Sequence, residues 1–235
     1  MKYVVALVLG LIIGAAMLVV GIIYNPFAVN RVLSPLSVTE AQVILLKFSP
    51  VPADGIVYTN NGESVPSPYP EKVPQLWEAP IRKTSAMATI MRDARNQPAG
   101  IGIKIFSLSE STNLLRGQAI VDSIWYVYAP QHGSMFIQQT ENYLPFVREV
   151  AFPAWKSSAN TWRGTWTGNL TSGPGALGTA AVSGGSGRIK GLDLDGVETL
   201  SVRAFSTDTG FVAAEGQLLI ELPKLSGDAE EIPVR

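Results

Sequence analysis

QAIVDSIWYVYAPQHGSMFIQQT, residues 118–140, alternates with a period of two and turns back on itself in the middle. Val121, Trp125 and Val127 fall on one side of the chain; Asp122, Ile124, Tyr126 and Tyr128 fall on the other. That spacing belongs to a strand, whose side chains leave alternate faces. Residues 130–133 carry Pro and Gly and predict a turn, and residues 134–140 predict the return strand of a hairpin. Upstream, Ile101, Ile103 and Ile105 alternate with Gly100, Gly102 and Lys104 in the same period. Downstream, residues 161–170, 176–183, 197–205 and 212–222 read as further strands, each bounded by Gly, Asp or Pro. In the last of these Val212, Ala214, Leu218, Ile220 and Leu222 form the apolar face, and Glu215, Gln217 and Glu221 point away. Glycine crowds residues 164–196, where close backbone packing or sharp strand bends are wanted. A run of short antiparallel strands with Gly-rich turns predicts a mainly β domain over residues 99–225, an antiparallel barrel or a sandwich.

The segment GTAAVSGGSGRIKG, residues 178–191, resembles the dirigent and allene oxide cyclase-like barrel proteins. There a strand runs into a Gly-Gly-Thr-Gly-x-Phe turn before the next strand; Ser186 stands at the Thr position and Ile189 at the Phe position. The resemblance implies an eight-stranded antiparallel barrel with an apolar interior. Its members bind or steer small hydrophobic molecules and often oligomerise. It assigns no catalytic residue to this chain.

N-terminal to the barrel, residues 38–98 predict a strand, a proline-rich arm and a short soluble helix. The strand is VTEAQVILLKF (38–48), for which a short helix is the alternative. Prolines at 50, 52, 66, 68, 70, 74 and 80 leave little regular structure in the arm. Asn61-Gly62 suits a small hairpin, and Tyr69 and Trp77 suit packing against a surface. The helix is SAMATIMRDARN (85–96): Ala86, Ile90 and Ala94 share one helical face and Gln97-Pro98 ends it.

At the start of the chain, VVALVLGLIIGAAMLVVGII (residues 4–23) contains no charged side chain. As a helix it reaches about 30 Å, the depth of a bilayer's hydrocarbon core. A secretory signal has a shorter apolar core and a polar cleavage region. Here Gly14-Ala15-Ala16 is followed by Met17-Leu18-Val19-Val20. Tyr3 and Tyr24 bracket the run as interfacial aromatics do, and Pro26 ends it. Residues 1–24 therefore predict a retained single-pass anchor, with a cleaved signal as the alternative. Residues 25–37 follow as a juxtamembrane connector, and residues 226–235 form a polar tail. Lys2 precedes the span, so the N-terminus is expected in the cytoplasm and the β domain in the periplasm or outside the cell. Gly10, Gly14, Ala15 and Gly21 make a small-residue stripe of the kind that packs helices in lipid.

Composition excludes several chemistries. The chain of 235 residues has 18 Lys and Arg against 19 Asp and Glu, without a basic cluster, so nucleic acid is not an expected partner. With no cysteine and a single histidine, disulfides, thiolate metal sites and His-rich metal sites are excluded within one chain. No phosphate loop, GxSxG elbow or HExxH motif is present, and no metal, cofactor or catalytic residue is expected.

Asp122, Tyr126 and Tyr128 share one strand face, and with Arg163 they are the ligand-lining candidates if that face lines a barrel. If it faces water, they are a polar outer face. His132 sits in the hairpin turn, where a histidine is usually inert. Glu141-Asn142-Tyr143 suits a pocket rim or loop packing, and Arg163, Glu198 and Arg203 suit cross-strand ion pairs at a surface. Trp162 and Trp166 read as core or as an aromatic patch, and Asn169-Leu170-Thr171 is a formal glycosylation sequon. Two functions remain: a membrane-anchored accessory or scaffold subunit, which is not an enzyme, or a tethered barrel that binds or isomerises a small hydrophobic ligand. The expected partners are membrane lipid, a membrane protein or a second copy of the chain, and that ligand.

Overall fold

The computed structural model describes residues 2–23, 42–60, 63–65 and 83–222. The juxtamembrane connector, the Asn61-Gly62 turn, most of the proline-rich arm and the C-terminal tail lie outside the described residues.

The chain begins with α1 (Lys2–Ile23), a helix long and apolar enough by length and composition to cross a membrane. Among the described residues twelve strands follow: β1 (Gln42–Phe48), β2 (Val57–Asn60), β3 (Glu63–Val65), β4 (Ser85–Arg92), β5 (Pro98–Leu108), β6 (Ile120–Ala129), β7 (Gly133–Asn142), β8 (Thr161–Asn169), β9 (Thr171–Gly173), β10 (Ala180–Gly184), β11 (Asp193–Ser206) and β12 (Gly210–Leu222). Between β7 and β8 lie α2 (Leu144–Phe146), a π turn (Val147–Ala151) and α3 (Phe152–Lys156), run together as one helical segment.

Eight strands close into an antiparallel barrel in the order β1-β12-β11-β10-β7-β6-β5-β4, with Lys47 of β1 paired to Arg92 of β4 at the seam. The predicted barrel is therefore present. It starts earlier than residue 99, since β1 and β4 are two of its staves.

Two strands have divided edges. β4 pairs with β1 only at Arg92, and its Ala86, Met87 and Ala88 pair with β2. β11 pairs with β10 over residues 193–196 and with β8 over residues 199–206. Both divisions fall toward the same end of the barrel.

Residues 85–92 are a strand, which corrects the predicted helix. Ser85, Met87, Thr89 and Met91 point inward and are buried, and the strand is laddered to β5 from Ser85↔Phe106 to Arg92↔Pro98. Ala86, Ile90 and Ala94 are spaced by four, and a spacing of four satisfies both a helical face and one side of a strand. Tertiary pairing decides between them. The short soluble helix of the β domain lies instead in residues 144–156, where Pro145 stands at a first-turn position that needs no N–H partner.

One half of the barrel is filled. Ile44, Leu46, Phe48, Met91, Trp125, Val127, Met135, Ile137, Val182, Leu218 and Ile220 form its core. A second cluster, including Phe146, Val150, Trp166, Leu200 and Val202, packs the helical segment against β8 and β11. Trp166 is buried there and Trp162 packs against the cluster, as expected of core aromatics.

Two glycines make room for rings. A Cβ on Gly102 would lie 2.1 Å from Met91 Cε and 3.0 Å from Trp125 Cζ3, so β5 yields its inward volume to Met91 and Trp125. This fixes the register: Gly102 and Lys104 face in, while Ile101, Ile103 and Ile105 face out. Phe48 crosses the backbone of Gly216 and meets Trp125 edge-on with ring centroids 4.7 Å apart. Such a contact contributes about 0.5–1.5 kcal/mol beyond area burial.

Gly216→Ala places a methyl 2.1 Å from Phe48 Cζ and is expected to destabilise the protein by about 1–3 kcal/mol. Adding Phe48→Leu should make the double variant less destabilised than the sum of the singles. Denaturant unfolding of the four proteins reads this coupling.

Candidate functional site

Odd-numbered positions of β6 and β7 face the barrel interior, so Ser123, Trp125, Gln139 and Glu141 enter it in one layer. β5 adds Lys104 and β11 adds Glu198; Lys104, Glu141 and Glu198 are 3%, 0% and 2% exposed. Charges this deep are tolerated only when paired and hydrogen-bonded.

Pairing is dense. Lys104 Nζ donates to Glu198 Oε1 at 2.8 Å and lies 2.8 Å from Glu141 Oε1. Trp125 Nε1 donates to Glu198 Oε2 at 2.9 Å. Gln139 Nε2 donates to Glu141 Oε1 at 2.9 Å and also to Glu198 Oε2. The Gln139 amide is oriented by Thr171, whose hydroxyl donates to Gln139 Oε1 at 3.0 Å and accepts from the Glu198 backbone N–H at 2.7 Å. Ser123 Oγ donates to Glu141 Oε1, and Glu141 Oε2 is a buried oxygen with no hydrogen-bond partner among the described residues.

Burial works against the Lys104 ammonium, but the adjacent Glu141 and Glu198 carboxylates outweigh it and raise its pKa. Lys104 therefore stays charged and is no nucleophile at neutral pH. For Glu198, burial and then the neighbouring Glu141 raise the pKa; Lys104 and the Trp125 N–H oppose them without reversing the sign.

Among the described residues, the barrel is open above this layer. A cavity of about 490 Å³ has Lys104 and Glu198 among its lining residues, with Phe48, Phe146, Leu200, Phe205 and Phe211 as aromatic and aliphatic walls. Tyr143 and Val121 also line it, and Thr207, Asp208 and Thr209 of the β11–β12 connection contribute polar groups. Phe146, Phe205 and Phe211 pack edge-on or tilted with centroids 5.2–5.8 Å apart. On the other side of Leu170 lies a polar groove of about 480 Å³, to which Arg116, Asn142, Glu149 and Asn169 contribute; Leu170 lines both.

The ligand-lining candidates lie elsewhere. Asp122, Tyr126 and Tyr128 are exposed on the outside of β6, and Arg163 is exposed on β8. The face holding Asp122, Tyr126 and Tyr128 is the outer face. It is largely apolar: Ile90, Ile101, Ile103, Ile105, Ile124 and Phe136 stand around the two tyrosines, and Tyr126 meets Phe136 at 5.1 Å. Glu198 is not a surface ion-pair partner, because the β11 register turns it inward, whereas Arg203 is exposed.

Of residues 141–143, Glu141 enters the buried cluster and Tyr143 lines the cavity. His132 is at the opposite end of the barrel, half-buried, its pKa lowered by burial and by Arg188. Asn169 of the sequon accepts from the Thr171 backbone N–H at 3.1 Å, and the Thr171 hydroxyl is spent inside the barrel. Gly10, Gly14, Ala15 and Gly21 are exposed along α1.

Gln139, Glu141 and Glu198 carried a usable signal. Gln139 and Glu141 share parity with Met135 and Ile137, and Glu198 shares it with Leu200 and Val202. Chemically, a charged ammonium in a dry site stabilises negative charge developing on an oxygen beside it. A carboxyl with a raised pKa stands nearer the range useful for proton transfer at neutral pH.

No family model matches the chain, and no curated protein matches it. A solved structure, AbnU, an exo-specific intermolecular Diels-Alderase, aligns with TM-score 0.39 at 10% identity, covering 77% of this chain and 97% of that one. That similarity is too low to carry an argument, and the dirigent-like resemblance extends no further than the barrel itself.

Folded Glu198 holds its proton to higher pH than the unfolded carboxyl, whose pKa is about 4.3. The folded state thus binds more protons over the interval between the two, and stability falls as pH rises through it. Glu198→Gln removes this slope. Its urea midpoint, measured against that of the parent, should improve steadily from about pH 4 upward and level off once folded Glu198 is ionised.

Proposed function

We propose that this protein is a membrane-tethered barrel that binds a small, largely apolar molecule in the open end of its β domain. The observation that carries this reading is the cavity of about 490 Å³, walled by Phe146, Phe205 and Phe211 and with Lys104 and Glu198 in its lining. Its size and its apolar lining with few polar groups are those of small-molecule sites. Burial of apolar ligand surface supplies affinity, at about 25 cal/mol per Å² before the costs of binding. The charged layer fixes orientation.

The tether is α1. Residues Lys2–Gly21 are apolar and none of them is buried among the described residues, a state suited to lipid. A signal sequence near an N-terminus meets the same criterion. The length of the run and the absence of a polar cleavage region favour retention. Lys2 before the span favours a cytoplasmic N-terminus and a β domain on the far side of the membrane.

A second reading is a non-catalytic accessory subunit of a membrane complex, supported by the exposed apolar outer face of β4–β7. The two separate at the cavity: filling it abolishes the first activity and leaves the second intact.

The full chain in lipid nanodiscs is expected to bind the neutral fluorophore N-phenyl-1-naphthylamine with blue-shifted emission. Val121→Trp narrows the cavity and should reduce the signal at least tenfold, to the background set by the bilayer. Equal signals from the two proteins would sink the ligand-binding reading. As for the tether, the expressed full-length chain should remain in the membrane pellet after alkaline carbonate extraction and keep residues 2–23 by mass. Release, or a mature chain lacking those residues, refutes a retained anchor.

A further inference from the structure

The charges around the cavity limit which polar group a ligand can bring to it. Lys104 is the cation of the charged layer, set against Glu141 and Glu198, with Asp208 at the rim. An ammonium has three N–H donors. Two of those of Lys104 are directed to the carboxylates, and among the described residues no further acceptor pairs with it; Nζ lies 5.4 Å from the centre of the Trp125 ring and 5.8 Å from that of Phe106.

Glu198 offers nothing in return. Its Oε1 is taken by Lys104 and its Oε2 by Trp125 and Gln139. Among the described residues, a ligand's polar end that reaches this layer therefore meets an unspent N–H of Lys104 beside a Glu198 whose two oxygens are already taken. A carboxylate can accept from Lys104, but it adds a negative charge beside two carboxylates in a poorly screened interior. An ammonium meets Lys104 itself and finds no open oxygen on Glu198. A neutral carbonyl oxygen fits without either conflict.

We infer that the cavity selects neutral, apolar carbonyl compounds such as ketones and esters. The carbonyl oxygen accepts from Lys104 Nζ, and the hydrocarbon part lies among Phe146, Phe205 and Phe211. This rests on the ligand-binding reading above and adds the ligand's chemical class. It requires no covalent step, because the charged Lys104 does not attack the carbonyl.

The test is displacement of N-phenyl-1-naphthylamine from the full chain in nanodiscs at pH 7 by 2-decanone, decanoate and decylamine. Partition into lipid is corrected with the Val121→Trp protein. The ketone is expected to displace the fluorophore at a concentration at least tenfold below that of either charged analogue. The ¹³C resonance of carbonyl-labelled 2-decanone should move downfield on binding, as it does on accepting a hydrogen bond from a cation.

In the triple variant Lys104→Met, Glu141→Gln, Glu198→Gln, the downfield shift should vanish and ketone affinity should fall about tenfold. If that variant does not fold, the ranking and the ¹³C shift in the parent protein decide alone. Decanoate or decylamine competing as well as the ketone overturns the inference, as does displacement by the ketone without a ¹³C shift. Failure of the fluorophore itself to bind refutes the underlying reading and this inference with it.

Discussion

A lysine ammonium buried between two carboxylates organises this barrel. Separating such a group from its partners typically costs about 3–5 kcal/mol, so the surrounding elements are committed to keeping it satisfied. Lys104 comes from β5, Glu141 and Gln139 from β7, Ser123 and Trp125 from β6, Glu198 from β11 and Thr171 from β9. Five strands thus meet in one polar layer, and each must hold its register for the layer to close. A slip of one residue in β11 would turn Glu198 outward and leave Lys104 with a single partner.

That layer also divides the interior. On one side the barrel is filled, with Trp125, Met91 and Ile137 fully buried in the core. On the other it opens into the cavity. Eight strands enclose a space that side chains just fill or one that leaves an interior cavity; here one half is filled and the other is left open among the described residues. The divided edges lie at the open half: β2 replaces β1 along the first part of β4, and β8 replaces β10 along the last part of β11. The helical segment then supplies Phe146 to the cavity wall, so the aromatic lining comes partly from outside the barrel proper.

The strand pattern was legible in the sequence to the extent that one period described it. Alternation in residues 118–140 gives the β6–β7 hairpin with Trp125 inside, and the apolar face of residues 212–222 gives β12. Residues 85–96 misled because Ala86, Ile90 and Ala94 fit two periods at once. Only the β5 ladder, invisible in one sequence, selects the strand. The site was hidden for a different reason. Polarity predicts an outward face and apolarity an inward one, whereas β5 reverses both, with isoleucines outside and Lys104 within. The signal that remained was parity with Met135, Ile137, Leu200 and Val202, and its meaning emerges only once three strands are brought side by side.

Leu170 stands between the aromatic cavity and the polar groove on the far side of the β8–β9 chain, in contact with both. Its backbone is pinned by N–H donation to the Glu198 carbonyl and by acceptance from Asn142, leaving the side chain as the partition. That side chain is a shared wall of the two spaces, so a smaller residue there would thin the boundary and bring the water of the polar groove closer to the charged layer.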